Sequence, residues 1–282
     1  MIDIVADDLD HPECVAIGPD GTLYAGGEAG QLYRIDVQNG SAEVLGSTGG
    51  WLLGLAVHGD GSVYACDPKL RAVVAFAPDG SHRVVSTGSS ERPMSTPNFP
   101  VFASDGTLYV SDSGAWPAGG GCVYRIDAAG ATTIWSRQTP HFTNGLALDP
   151  TEKYLYVAES TLPGITRIEI RDDGSAGAAE LVVSMPGTVP DGLAFDTEGR
   201  LYVGCYRPDR IYTLETDGTL LIFRDDYQGT DLAAPTNIAF AGDGRPELFV
   251  ASLNRWHISR LLTPAPGQPL HYPTAAPGAS GG

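Results

Sequence analysis

Apolar residues in this chain come in short runs of about four to six, broken by Gly, Asp, Asn and Ser. Runs of that length bounded by turn residues read as strands, not helices. One phrase returns six times. A polar residue opens an apolar run, a tight turn follows, and a second run carries an aromatic. Pro190-Asp191-Gly192-Leu193-Ala194-Phe195 shows it most fully, leading through Glu198-Gly199 to Leu201-Tyr202-Val203. Matching phrases run from Glu13 to Tyr24, Leu53 to Tyr64, Asn98 to Tyr109, Asn144 to Tyr156, and Thr236-Asn237 to Phe249. The aromatics recur at intervals of roughly 40–47 residues, a spacing typical of β-propeller blades.

Each repeat holds four strand-like runs. In the first, Asp20-Gly21 joins the first two runs and Asn39-Gly40 the last two, and both dipeptides tolerate the positive φ of hairpin turns. The sixth repeat stops after Ile258-Ser259-Arg260-Leu261-Leu262, one strand short. The segment Ile2-Asp3-Ile4-Val5-Ala6 has the character of an outer strand and precedes the first repeat, as the other outer strands precede theirs. The expected fold is therefore all-β: a six-bladed β-propeller with four antiparallel strands per blade, closed by the N-terminal strand. One domain is expected over residues 1–263, followed by a loose Pro/Gly/Ala-rich tail over 264–282. In this topology the short Asp-Gly hairpins crowd one face. The connections into each blade and the loops between second and third strands share the other, the entry face. The longest loop there, Ser111 to Gly121, suits a lid or a tolerated insertion.

Charge narrows the partners. Lys+Arg is 17 against Asp+Glu 34, a formal net charge of −17, which argues against nucleic acid and anionic membranes. The four cysteines, Cys14, Cys66, Cys122 and Cys205, lack the close spacing of a zinc or redox motif and read as reduced core residues. Met1-Ile2-Asp3-Ile4-Val5 lacks the basic and apolar stretches of a secretory leader, and the expected location is the cytoplasm.

The chemistry lies in the residues that open the six inner strands. Sixfold repetition brings them together around the axis on the entry face. Glu13 and Asp191 offer carboxylates, and Asn98 and Asn144 offer amide oxygens. Such a set of hard oxygen donors suits a divalent cation, Ca²⁺ first, with Mg²⁺ and Mn²⁺ next and Zn²⁺ last for want of Cys or His. A wet channel would also be lined by polar residues, so the pattern alone leaves both readings open.

Glu13 before an apolar strand, Pro97-Asn98, Asn144-Gly145-Leu146-Ala147-Leu148 and Pro190-Asp191-Gly192-Leu193-Ala194 together resemble the senescence marker protein (regucalcin)/gluconolactonase family, over nearly all of residues 8–262. The resemblance implies a six-bladed propeller with one divalent cation on the axis, held by Glu13, Asn98, Asn144 and Asp191. It also implies lactone hydrolysis, with Asp191 as candidate base. Diisopropylfluorophosphatase shares this ring, so phosphotriester hydrolysis is a related expectation. Where sugar-lactone members carry Arg and Asp around the third-blade Asn, this chain has Thr96 and Phe99. Phe99, with Trp51, Trp116 and Phe142, is expected to wall a partly apolar substrate pocket that prefers less hydroxylated lactones or aryl esters. The reaction expected is carbonyl polarisation by the cation and attack by water on a small-molecule substrate. The competing reading is a ligand- or protein-binding propeller with a structural calcium. His11, His141 and His257 fall in entry-face loops and are candidates for surface or supporting roles. Gly278-Ala279-Ser280-Gly281-Gly282 matches Gly-x-Ser-x-Gly but lacks the strand and helix that give that motif meaning.

Overall fold

Each apolar run of the repeat becomes a strand, and each acidic-Gly pair becomes the turn beside it. The computed structural model describes residues 2–274 and arranges 24 strands as six four-stranded antiparallel sheets in a ring, a six-bladed β-propeller. Blade 1 runs Cys14–Ile17, Leu23–Gly26, Gln31–Ile35 and Ala42–Ser47 from axis to rim. Blade 2 begins at Leu55–Val57, blade 3 at Pro97–Phe102, blade 4 at Thr143–Leu148, blade 5 at Val189–Phe195 and blade 6 at Pro235–Phe240. The hairpin glycines take the left-handed conformation, with Gly21 at φ 82° and Gly199 at φ 82°, where a Cβ would strain the turn.

The repeated aromatic serves packing between blades. Tyr64 meets Phe102 of the next blade edge-on at 5.1 Å, Tyr156 meets Phe195 at 5.0 Å, and Tyr202 meets Phe240 at 5.1 Å. The second strand of one blade thus grips the inner strand of the next, and the core lies in these seams. The four cysteines are buried and free, as a reduced core requires. Among the described residues no helix is long and apolar enough to cross a membrane.

Closure follows the expected route. Ile2–Ala6 pairs antiparallel with His257–Leu262, in the register Ile2 to Leu261, Asp3 to Arg260 and Ile4 to Ser259. The last blade therefore takes its outer strand from the other end of the chain.

The segment after the ring differs from the expectation of a loose tail. Residues 264–274 cross the hairpin face as a strap, while 275–282, with the Gly-x-Ser-x-Gly match, lie outside the described residues. Gln268 N donates to Phe195 O at 2.9 Å, Gly59 N to Pro273 O at 2.9 Å and the Tyr272 hydroxyl to Ile17 O at 2.9 Å. His271 Nε2 lies 2.5 Å from Glu152 Oε1. Blades 1, 2, 4 and 5 are thereby tied together. The strap caps an apolar cavity of about 120 Å³ in the hairpin half of the axial channel, lined by residues such as Ile17, Val57, Phe99 and Phe195. Composition hid this because Pro and Gly also serve fixed, extended segments whose bonds go to distant blades.

Two truncations test these joints. Removing residues 1–8 should lower the melting temperature by many degrees and promote aggregation, since it bares the edge of blade 6. Ending the chain after Thr263 should also lower it, by less, because it uncovers the apolar channel but leaves every blade intact. A chain ending at Thr263 that melts with the full-length protein would show the strap to be dispensable.

Candidate functional site

At the other end of the channel the inner strands start, and their first residues converge. Glu13, Asn98, Asn144 and Asp191 line one cavity of about 480 Å³. Leu53 lines it from blade 2, so that blade adds no oxygen. In blade 6, Thr236 stands in the register of Asp191: Pro235 pairs with Ser252 as Pro190 does with Cys205, and Ile238 with Val250 as Leu193 does with Val203. Thr236 turns its hydroxyl aside and donates to Glu13 O at 2.9 Å.

The two asparagines are held by a relay the sequence reading missed. Asn98 Nδ2 donates to Ser113 Oγ at 3.0 Å, and Ser113 Oγ donates to Thr143 O at 2.8 Å. Asn144 Nδ2 donates to Ser160 Oγ at 3.1 Å, and Ser160 Oγ to Pro190 O at 2.8 Å. Each amide thus spends a donor hydrogen on its own blade, and each serine locks the approach to the next blade's ring residue. The signal was present: Asp112-Ser113 and Glu159-Ser160 close equivalent strands. The acids have their own task. Asp112 accepts from Ser95 N at 2.6 Å and Thr96 N at 3.2 Å, and Asp67 of blade 2 accepts from Trp51 N at 3.2 Å and the Thr48 hydroxyl at 2.6 Å. Buried carboxylates therefore anchor the loops that form the cavity rim.

The ring is short of partners. Glu13 Oε2, Asn144 Oδ1 and Asn237 Oδ1 are buried atoms without a hydrogen bond. Asn237, 3% exposed, opens the sixth phrase one place past the ring register. Burial pushes the Glu13 carboxyl from its ordinary value near 4.5 up to about 7, with the nearby Glu28 adding to the rise. Burial also drives Asp191 well above the carboxylate range; the charge of Glu13 reinforces this and a hydrogen bond with Asn144 opposes it. Unpaired buried acceptors and two carboxylates disfavoured as anions are what a cation-sized deficit of positive charge leaves behind. The donor set is all oxygen, with no Cys or His lining the cavity, and it fits a hard divalent ion.

The remaining expected positions divide. Trp51, Trp116 and Phe142 line the cavity, Trp116 edge-on to Phe142 at 5.0 Å. Phe99 does not. It packs with Val101, Leu146 and Leu148 and lines the apolar cavity beneath. Depth along the strand explains the difference: Phe99 lies one residue further from the entry face, in the register irregularity between Pro97 and Pro100, where the channel turns apolar. The long loop after Ser111 is tied down, with Gly120 N and Gly121 N donating to Pro140 O at 2.8 and 3.2 Å. None of His11, His141 and His257 lines the cavity. His11 Nδ1 lies between Asp10 Oδ1 at 2.9 Å and Glu28 Oε2 at 3.3 Å, a group whose Asp10 Oδ2 is already taken by Ala29 N and Gln31 Nε2. Lys69, Val189 and Tyr206 also line the cavity, and sequence reasoning had named none of them.

A model of the SMP-30/Gluconolactonase/LRE-like region matches residues 12–254. A lactonase drp35 of Staphylococcus epidermidis is 28% identical over 174 residues, covering 58% of this chain and 53% of that protein. The chain spans about half the length of the curated relatives it matches. A gluconolactonase from Xanthomonas campestris superposes with a TM-score of 0.80 at 21% identity, covering 93% of this chain and 89% of that one. A calcium-binding regucalcin from Agrobacterium tumefaciens superposes at 0.79 and 17% identity, covering 96% of each. At these identities the superpositions speak for the fold.

The electrostatics of the ring predict an unusual gain from neutralising it. A carboxyl whose pKa rises on folding favours folding below its unfolded value and loses that benefit as pH climbs through the folded one. For Glu13 the window is about 4.5 to 7, and the cost above it is on the order of 3 kcal/mol. In chelator at pH 8, Glu13→Gln and Asp191→Asn should therefore each raise the melting temperature by several degrees, and by much less at pH 5. Thermal melts at the two pH values check this, and variants less stable than the parent at pH 8 would contradict it.

Proposed function

The chain belongs to the SMP-30/gluconolactonase/LRE-like family, and from that premise we propose that it is a divalent-cation-dependent hydrolase acting on lactones. The observation that carries the reading is the set of buried, unpartnered ring oxygens on Glu13 and Asn144, beside the buried Asp191 and Asn98. These four residues would hold the cation, calcium first among the candidates. Bound there, such an ion supplies a Lewis acid that polarises an ester carbonyl. The chain's own residues supply the rest. The Asp191 carboxylate takes the proton of the attacking water and passes it to the departing ring oxygen as the carbon–oxygen bond of the lactone breaks, giving a hydroxy acid. Trp51, Trp116 and Phe142 wall the substrate and limit bulk water. The apolar lower channel and its strap leave the entry face as the way in. With aromatic walls and Thr96 in place of a sugar-binding Arg, the site favours lightly hydroxylated lactones or aryl esters. Four free, buried thiols accord with a reducing compartment, and the cytoplasm is the proposed location.

Asp191→Asn and Glu13→Gln make the same charge change at the same ring, so comparing them isolates the base. With each variant titrated with Ca²⁺, Glu13→Gln should regain most activity at saturating metal. Asp191→Asn should remain lower by about 10²–10⁴-fold, as expected for a lost general base. Equal recovery of the two would leave Asp191 as a ligand only. Metal-dependent melting without turnover of any lactone or aryl ester would identify a binding propeller instead.

A further inference from the structure

Five blades bring a polar residue to the start of the inner strand, and blade 2 brings Leu53. What blade 2 contributes instead is a pair of hydrogen-bond donors. Trp51 lines the cavity, and its indole Nε1 is a buried donor with no partner. The unpartnered ring atoms on Glu13 and Asn144 are oxygens, which a cation can satisfy. An N–H cannot be satisfied that way; it needs an acceptor. Lys69 lines the same cavity and is its one cationic side chain. It is an exposed residue whose Nζ donates to the backbone oxygen of Glu28 at 3.0 Å, and among the described residues no carboxylate pairs with it. Its ammonium keeps two further donor hydrogens. Lysine is scarce in this chain, occurring only at positions 69 and 153.

The charge balance points the same way. A divalent ion would offset the carboxylates of Glu13 and Asp191, and Lys69 would then be the remaining charged side chain in the lining of the cavity. Of the acids nearby, Glu28 lies close to Glu13, and Asp67 behind Trp51 spends its oxygens on the Thr48 hydroxyl, Trp51 N and Leu70 N. Many of the acids sit in the hairpin turns, such as Asp20, Asp60, Asp105 and Asp243, at the far ends of the inner strands. A strand of that length spans roughly 17–20 Å, about two Debye lengths at physiological ionic strength.

We propose that Trp51 Nε1 and Lys69 Nζ form an anion subsite on blade 2, and that the substrate is a lactone carrying a carboxylate. Resting on the hydrolase reading, this deepens it: a cation held by the ring would polarise the carbonyl, blade 2 takes the carboxylate, and the aromatic walls take the carbon frame between them. The two donors act on binding, so their loss appears in KM more than in kcat.

The test uses two matched probes on the metal-loaded full-length protein: a γ-lactone with a carboxylate on the ring, and the same lactone with that group as a carboxamide. The parent should prefer the carboxylate by about tenfold in kcat/KM, the scale of one charge-assisted hydrogen bond at an accessible site. Lys69→Met should abolish the preference through KM, weakening the carboxylate far more than the carboxamide, and Lys69→Arg should retain part of it. Trp51→Phe, which keeps the ring but removes the N–H, should weaken the carboxylate probe more than the carboxamide. Equal turnover of both probes by the parent overturns the proposal. So does an equal fall in kcat on both probes in Lys69→Met, which would make the donors part of the reaction centre. If neither probe is hydrolysed, the hydrolase reading fails. Calorimetric titration then decides the subsite: about tenfold tighter binding of the carboxylate probe, lost in Lys69→Met, supports it, and equal binding overturns it.

Discussion

The structure turns on oxygen atoms that converge on one axis without partners. Burying a carboxylate is costly unless it is paired, and here Glu13 and Asp191 share one cavity with no cationic side chain bonded to either. Packing alone would have selected apolar residues at those positions, as Leu53 shows in blade 2. The ring is thus a destabilising element that the rest of the propeller must hold in place. Its seams of interlocked aromatics and its closure through Ile2–Ala6 keep six strand starts from separating. A bound cation would relieve the cost by neutralising the charge and filling the empty acceptor positions.

Orientation comes from the layer behind the ring. Without Ser113 and Ser160, the amides of Asn98 and Asn144 could turn either end toward the axis. The hydroxyls accept from the amide nitrogens and leave the oxygens for the cavity. The same hydroxyls donate to the backbone of the next blade, so amide orientation and blade spacing are one network. Asp67 and Asp112 extend the logic outward. Each is a fully buried acid that accepts from loop backbone nitrogens, and each fixes a segment of the rim. The geometry at the axis therefore depends on residues that never touch it.

The two halves of the channel do opposite work. The entry half gathers the ring oxygens beneath aromatic walls, while the hairpin half is lined by Val, Leu, Ile and Phe and capped by the strap. A water-filled channel through both would weaken every charge interaction in the ring by raising the local dielectric. Blade 2 departs from the oxygen pattern and lines the cavity with Leu53, Trp51 and Lys69 instead.

Much of this was legible in the chain itself. Strand character is a local property, set by short apolar runs and by turns such as Asp20-Gly21, and the repeat distance counted the blades. The missing fourth strand of the sixth repeat foretold closure by residues 2–6. Glu13, Asn98, Asn144 and Asp191 were legible because sixfold repetition turns equal sequence position into equal spatial position. What broke the repeat was not legible. Phe99 lies one residue from Asn98, and the register irregularity between Pro97 and Pro100 placed it in the other cavity. The strap over 264–274 bonds to residues as distant as Ile17, and Thr236 reaches Glu13 across the closing seam. Trp51 and Lys69 reach the same cavity from two separate loops of blade 2. Such contacts depend on how the ring closes and which way each side chain leaves its strand, and only the folded structure decides them.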